Sequence, residues 1–542
     1  VAFVRAGARR GVAASVRGRA PCHVASRFAS LPRKIGHTRG NYGSYGGGGS
    51  GYMYGNRQMS TLAVNPEVTL SEIYTDNKAA GDATPVYLVK KGDEDAIKNI
   101  VGDNAMAFVK ACKFEGGAGQ ICVIPGENGQ VGGVLVGVDD GSEPLSLGLI
   151  PTKLASGTYK IESSGLGGTP ATEANAAALA WGLGSYKFQR HKKPSDDDAG
   201  ESKVASLVFP EGVDEVQTKA MVQGMFMARD LINQPANVMG PIELEEAAAV
   251  LSTLHNAKLN VISGPELESG YPMIYAVGRA STRPPRLVEL RWGPESAPKV
   301  TLVGKGVVFD TGGLNIKPGS AMLPMKKDMG GAASIIGLAH TLMASKLNIN
   351  LRVLLPIAEN SIAGNAFRPS DVLTSRSGIT VEIGNTDAEG RLILADALSL
   401  ADEEKPEIII DMATLTGAHR VALGWDLPGL FTNDDTLANS VLQHGEASGD
   451  PMWRLPLYKG YEPMLKSKVA DTSSTGTKPL AGAITAALFL KKFVPETIKA
   501  GGSWVHIDFA GWTDARPGRP EGGEAHTIQA LFAYLQERYG SQ

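Results

Sequence analysis

The sequence predicts an α/β protein of two domains, a smaller N-terminal α/β domain and a larger C-terminal doubly wound α/β domain. Three observations lead there. The chain has 542 residues, 43% of them hydrophobic, enough to bury two cores. Sixty-six glycines against 6% aromatics suit a fold with many tight turns. From Pro241 onward, short apolar runs alternate with helical periodicity, the pattern of strands crossed over by helices.

Residues 1–60 stand apart. They carry ten Lys or Arg and no acid, so of the formal net charge of −3 the remainder holds −13. An Arg-rich, acid-free start with Ser and Ala resembles a mitochondrial targeting segment, with a cytoplasmic protein as the alternative. A basic nucleic-acid-binding arm is the rival. The run N-Y-G-S-Y-G-G-G-G-S-G-Y after it reads as a flexible linker. The acidic remainder argues against a nucleic-acid function for the folded body.

In 61–212, P-V-Y-L-V (85–89) and I-C-V-I-P (121–125) read as strands and A-T-E-A-N-A-A-A-L-A-W-G (171–182) as a helix. His191 to Ser202 reads as a polar surface loop. This region shows no chemistry-bearing constellation. Residues 213–235 hold a long connecting helix, whose Met225 and Met227 are expected in the core. In 236–542, strands are predicted at 299–309, 350–357, 380–383, 407–412 and 503–509. Helices are predicted at 330–343, 391–401 and 482–493. No apolar run reaches the roughly 18–20 residues of a membrane span. Three cysteines at scattered positions imply neither a disulfide framework nor a Cys metal site.

Ligands of a doubly wound sheet bind beyond the carboxyl ends of its strands, and the unusual polar residues fall there. Lys305 lies inside the apolar strand V-G-K-G-V-V-F-D-T-G-G, with Asp310 at its exit. Lys317 sits on the loop L-N-I-K-P-G, and Asp328 at the helix entrance M-K-K-D-M-G-G. The stretch N-T-D-A-E-G-R-L-I-L-A-D brings Asp387, Glu389 and Arg391 to another helix start. Asp387 could cap that helix and Glu389 could answer its dipole. One acid suffices for a cap, however, and Gly390 in a first turn costs about 0.5–1 kcal/mol. Four carboxylates brought together repel unless cations sit among them, and such a pocket suits two divalent ions sharing bridging carboxylates. The triplet D-T-G has no second copy, as an aspartic protease would need, and V-G-K-G is not a phosphate-binding loop.

N-T-D-A-E-G-R-L-I-L-A-D-A-L (385–398) resembles the signature of the M17 leucyl aminopeptidase family. V-G-K-G-V-V-F-D-T-G-G-L-N-I-K-P (303–318), M-K-K-D-M-G-G-A-A (325–333) and D-M-A-T-L-T-G-A (411–418) match its other blocks in order. The resemblance implies a two-metal aminopeptidase that removes N-terminal Leu or another hydrophobic residue from peptides with a free N-terminus. It implies that Asp310 and Glu389 bridge the metals, that Lys305 and Asp328 complete one metal site, and that Asp387 completes the other. Lys317 and Arg391 would be catalytic cations that ligate nothing. Met325 and Thr414 would line the pocket for the first side chain, and Leu415 would offer backbone contacts. The cofactors implied are two divalent ions per subunit (zinc, with manganese, cobalt or magnesium accommodated) and a bicarbonate held by Arg391 as general base. The assembly implied is a homohexamer. Thr311, Lys327, His419 and Arg420 depart from the family's pattern. The alternative reading is a catalytically weak scaffold of the same fold, or a nucleic-acid-associated protein acting through its basic arm.

Overall fold

The computed structural model describes residues 69–75, 81–126, 130–138, 145–162, 170–193 and 204–540. The basic arm and linker (1–60), and most of the predicted polar loop at 191–202, lie outside these residues.

The first apolar runs form β1 (Tyr74–Thr75), β2 (Thr84–Lys90), β3 (Ile121–Pro125), β4 (Val131–Val138), β5 (Gly157–Glu162) and β6 (Ala205–Val208). They build a sheet in the order β1-β6-β5-β2-β4-β3. All neighbours run parallel except β3 and β4. The predicted Ala-rich helix spans Pro170–Gly184, and its Ala177, Ala178, Ala180 and Trp181 are buried. Small alanines let the helix approach closely, and the Trp181 indole N–H donates to the Ala205 carbonyl at 2.9 Å. Cys112 and Cys122 are free thiols.

The connecting helix is Glu215–Asn233, capped by Asp214, whose carboxylate accepts from the Gln217 N–H at 3.0 Å. Met225 and Met227 are in the core, as predicted. This helix crosses the helix Gly330–Ala344 at a glycine pair. A Cβ on Gly224 would fall 2.5 Å from the Gly337 carbonyl oxygen, so the backbones touch only because both side chains are absent.

The second sheet comprises β7 (Lys258–Ser263), β8 (Arg286–Trp292), β9 (Lys299–Gly304), β10 (Gly306–Asp310), β11 (Asn350–Asn360), β14 (Ile408–Ala413), β15 (Gly429–Thr432), β16 (Trp453–Arg454) and β18 (Ser503–Asp508). Its order is β16-β15-β18-β14-β9-β11-β8-β7, with β10 paired on β11. The centre, β18-β14-β9-β11, is parallel. β7, β8 and β15 run antiparallel to their inner neighbours. Both faces are covered, which is why I-I-I-D-M-A of β14 is buried at every position.

Two expectations need correction. The strand predicted over 299–309 is interrupted at Lys305. β9 lies between β14 and β11, and β10 continues on β11 alone. At the break the Lys305 N–H donates to the Met412 carbonyl (3.0 Å) and its own carbonyl accepts from Ala332 (2.8 Å). The strand at 380–383, here β13 (Thr380–Glu382), belongs instead to a small separate sheet with β12 (Val372–Thr374) and β17 (Thr472–Ser473). A strand of only three residues carries no signal about which sheet it joins.

A buried ion pair ties the halves together. Arg229, on the connecting helix, meets the Glu524 carboxylate at 2.9 Å and donates to the carbonyls of Leu183 (3.0 Å) and Gly518 (2.8 Å). Both charged residues are fully buried. Arg229→Met should therefore destabilise the protein by about 3–5 kcal/mol in chemical denaturation, because it strands the Glu524 charge. Adding Glu524→Gln to it should recover part of that loss.

Candidate metal centre and active site

The carboxyl ends of the central strands and two helix entrances deliver the polar residues to one cavity of about 240 Å³. β10 ends on Asp310, and the following loop returns Lys317 beside it. Asp328 sits in the short 3-10 turn Met325–Met329 that leads into the helix Gly330–Ala344. Asp387 lies in the turn Thr386–Ala388, and Glu389 opens the helix Glu389–Asp402. Beyond β14, Thr414 and Leu415 form the cavity edge. Met325, Thr414, Leu415, Lys305, Lys317 and Arg391 all line this cavity with the four acids, so the structure brings together every site residue that the sequence singled out.

Two ammonium groups separate the four carboxylates. The Lys305 Nζ lies 2.8 Å from Asp328 and 3.0 Å from Glu389, and donates to the Thr414 carbonyl at 3.0 Å. The Lys317 Nζ lies 2.7 Å from Asp310 and also contacts Asp387. Burial, together with the neighbouring Glu389 and Asp328 charges, holds the Asp310 carboxyl well above its usual range. Burial pushes Asp328 up to about 6 against the pull of Lys305. Asp387 is raised by burial and by Glu389. Burial also works to raise Glu389, but Lys305 and Lys317 outweigh it and hold that carboxyl down. For both lysines burial favours the neutral amine, and the surrounding carboxylates outweigh it and raise them.

The two ammoniums in contact with the four carboxylates answer only half of their charge. One oxygen from each of Asp310, Asp387 and Glu389 lies within 4.8 Å of the others, a spacing that fits a divalent cation. The donor set is oxygen-rich with one amine, and it fits metal ions on charge as well as on geometry.

The structure corrects one local reading. Asp387 is not the helix cap. Asn385 accepts the Asp387 N–H at 2.8 Å, and Ala388 stands at the cap position, which frees the Asp387 carboxylate for Lys317. Gly390 has a physical reason. A Cβ there would lie 2.5 Å from Lys305 Cε, so the glycine is the space that the lysine occupies. Arg391 is buried and donates to the Ser474 carbonyl at 2.8 Å, and burial lowers its guanidinium to about 10.

Sequence reasoning missed two supporting residues. Asn360, at the end of β11, donates to Asp310 (2.8 Å) and to the Thr386 carbonyl (3.1 Å), which fixes the first carboxylate against the helix entrance. Asp508, at the end of β18, accepts the N–H groups of Leu415 (3.0 Å) and Thr416 (3.1 Å). It also lies 3.1 Å from His419, and despite its burial these partners bring it down to about 2. Both obey the signal that revealed Asp310, a polar residue terminating a buried strand. No helix among the described residues is long and apolar enough to cross a membrane.

Comparison with known proteins agrees with this geometry. The catalytic-domain model of the cytosol aminopeptidase family, Peptidase M17, matches residues 226–532, and the M17 N-terminal domain model matches 84–206. A probable cytosol aminopeptidase of Methylobacterium radiotolerans is 41% identical over 419 residues, covering 74% of this chain and 82% of the relative. The crystal structure of a cytosol aminopeptidase from Coxiella burnetii superposes with a TM-score of 0.81 at 42% identity, over 86% of this chain and 99% of that one. The bottromycin maturation enzyme BotP in complex with Mn superposes at 0.74 and 31% identity, over 84% and 99%. The chain belongs to the M17 cytosol aminopeptidase family and is a metal-dependent exopeptidase of the hydrolase class.

Proposed function

We propose that the pocket holds two divalent ions and releases the N-terminal residue of peptides, leucine and other apolar residues among them. What carries this reading is the convergence of four carboxylates on one cavity, three of them spaced to share a cation, where the two lysines that touch them answer only half of their charge. Lys305, Asp310, Asp328, Asp387 and Glu389 would hold the ions. Lys305 would belong to that set as the neutral amine. Zinc is the first candidate. Manganese, cobalt and magnesium also suit an oxygen-rich set, and Mn accompanies BotP.

When bound, the ion pair supplies Lewis-acid chemistry, polarising the scissile carbonyl and acidifying water. The chain's own residues do the rest. The free α-amine of the substrate would be held at the end of the cavity that the proposed ligands line, which restricts cleavage to the first residue. Lys317, beside Asp310 and Asp387, stabilises negative charge growing on the carbonyl oxygen. With every carboxylate committed to ligation, none is left as general base. Arg391, partnered only by a carbonyl among the described residues, would hold a bicarbonate, which would supply a general base there. Met325 and Thr414 wall the pocket of the first side chain, and Leu415, pinned by Asp508, contacts the peptide backbone. A homohexamer is the proposed assembly and mitochondrial targeting the proposed role of the basic arm. No observation favours a catalytically weak scaffold, since all seven polar positions line one cavity.

Lys317→Ala should lower kcat on a leucyl-amide substrate by about 10²–10³-fold with metal content unchanged. Unaltered turnover would remove Lys317 from the mechanism. Metal removal should also be pH-linked. In the metal-free protein Asp328 titrates near 6 rather than 3.8, so the fold binds an extra proton that it loses as pH rises through that window. Ligation relieves this penalty. The melting-temperature gap between metal-loaded and chelated protein should therefore widen between pH values of about 4 and 6, as read by differential scanning calorimetry.

A further inference from the structure

Besides Arg391, two cations of the pocket wall have no carboxylate partner among the described residues. Lys327 follows Met325 in the turn Met325–Met329, lines the cavity, and is 4% exposed. The two acids in its neighbourhood are already engaged. Asp328 is bonded by Lys305 and by the Thr414 hydroxyl at 2.8 Å, and Asp508 by Leu415, Thr416 and His419. Arg420, half-buried on the helix Gly417–Leu423, lines the same cavity. Its guanidinium stacks 4.8 Å from the Trp425 ring and passes within 3.6 Å of where a Cβ on Gly417 would stand.

A buried ammonium without a partner is costly, and binding something that answers it removes that cost. The other lysines of the cavity, Lys305 and Lys317, are answered from within the protein. Lys327 and Arg420 can be answered only by what enters. They occupy the turn and the loop-helix segment that also present Met325 and Thr414, the proposed wall of the first side chain. We propose that this pocket accepts an acidic first residue, N-terminal glutamate or aspartate, with its side-chain carboxylate between Lys327 and Arg420 and its methylenes against Met325. This selectivity rests on the aminopeptidase reading of the site. A leucyl side chain enters the same space but leaves Lys327 unanswered.

The test compares kcat/KM for glutamyl- and leucyl-amide fluorogenic substrates with the metal-loaded full chain. Neither substrate has a C-terminal carboxylate, so any preference for glutamate reports the first side chain. Lys327→Met should lower the glutamyl-to-leucyl ratio by about tenfold or more, and Arg420→Ala should lower it in the same direction. A fall smaller than about threefold in Lys327→Met overturns the proposal. Should Lys327→Met fail to fold, as judged by its melting temperature, Arg420→Ala decides on the same threshold. Leucyl turnover with an unmoved ratio defeats this proposal alone. Absence of turnover on both substrates in the wild type defeats the aminopeptidase reading, and this one with it.

Discussion

The repulsion among four carboxylates in one buried pocket is the constraint around which the catalytic half is arranged. Asp310, Asp328, Asp387 and Glu389 come from three separate chain segments and meet where water screens them poorly, the first, second and fourth buried and Asp387 half-buried. In the structure two ammoniums hold the arrangement together, Lys305 between Asp328 and Glu389, and Lys317 between Asp310 and Asp387. Two lysines offset half of the negative charge. In the proposed reading that residual charge would be the driving force for binding dications, and it would tie function to stability at a single point.

Much of the surrounding architecture serves to hold those groups in register. The break between β9 and β10 turns Lys305 into the cavity at the level of the helix entrances. Gly390 leaves room for it. Asn360 joins the β10 exit to the turn that carries Asp387, and Asp508 fixes the Thr414–Thr416 segment through its N–H groups. Each contact works through another residue's position, which is why a doubly wound sheet suits the task. Its parallel strands end side by side, and a polar residue placed last on each strand meets its neighbours.

The sequence made the chemistry more legible than the surrounding geometry. Asp310, Lys317, Asp328, Asp387 and Glu389 could be found because a charged residue beside an apolar run breaks a strong pattern. Gly390 also advertised itself, though its purpose, clearance for a lysine 85 residues earlier, is a tertiary fact. The cap was misread because Asp387 and Asn385 are both good caps, and only the carboxylate's engagement with Lys317 decides between them. The membership of β13 in a small separate sheet was beyond reach for a similar reason, since strand pairing depends on long-range partners. Asn360 and Asp508 were overlooked although they follow the strand-end rule, because each sits in a run whose apolar residues dominate the pattern.

The most direct measurement is anomalous X-ray scattering from crystals of the manganese-loaded protein. Two peaks about 3.5–4 Å apart, enclosed by Asp310, Asp328, Asp387 and Glu389, are the expected result. A single peak, or peaks located elsewhere, would contradict the claim that these carboxylates are gathered to hold a pair of dications.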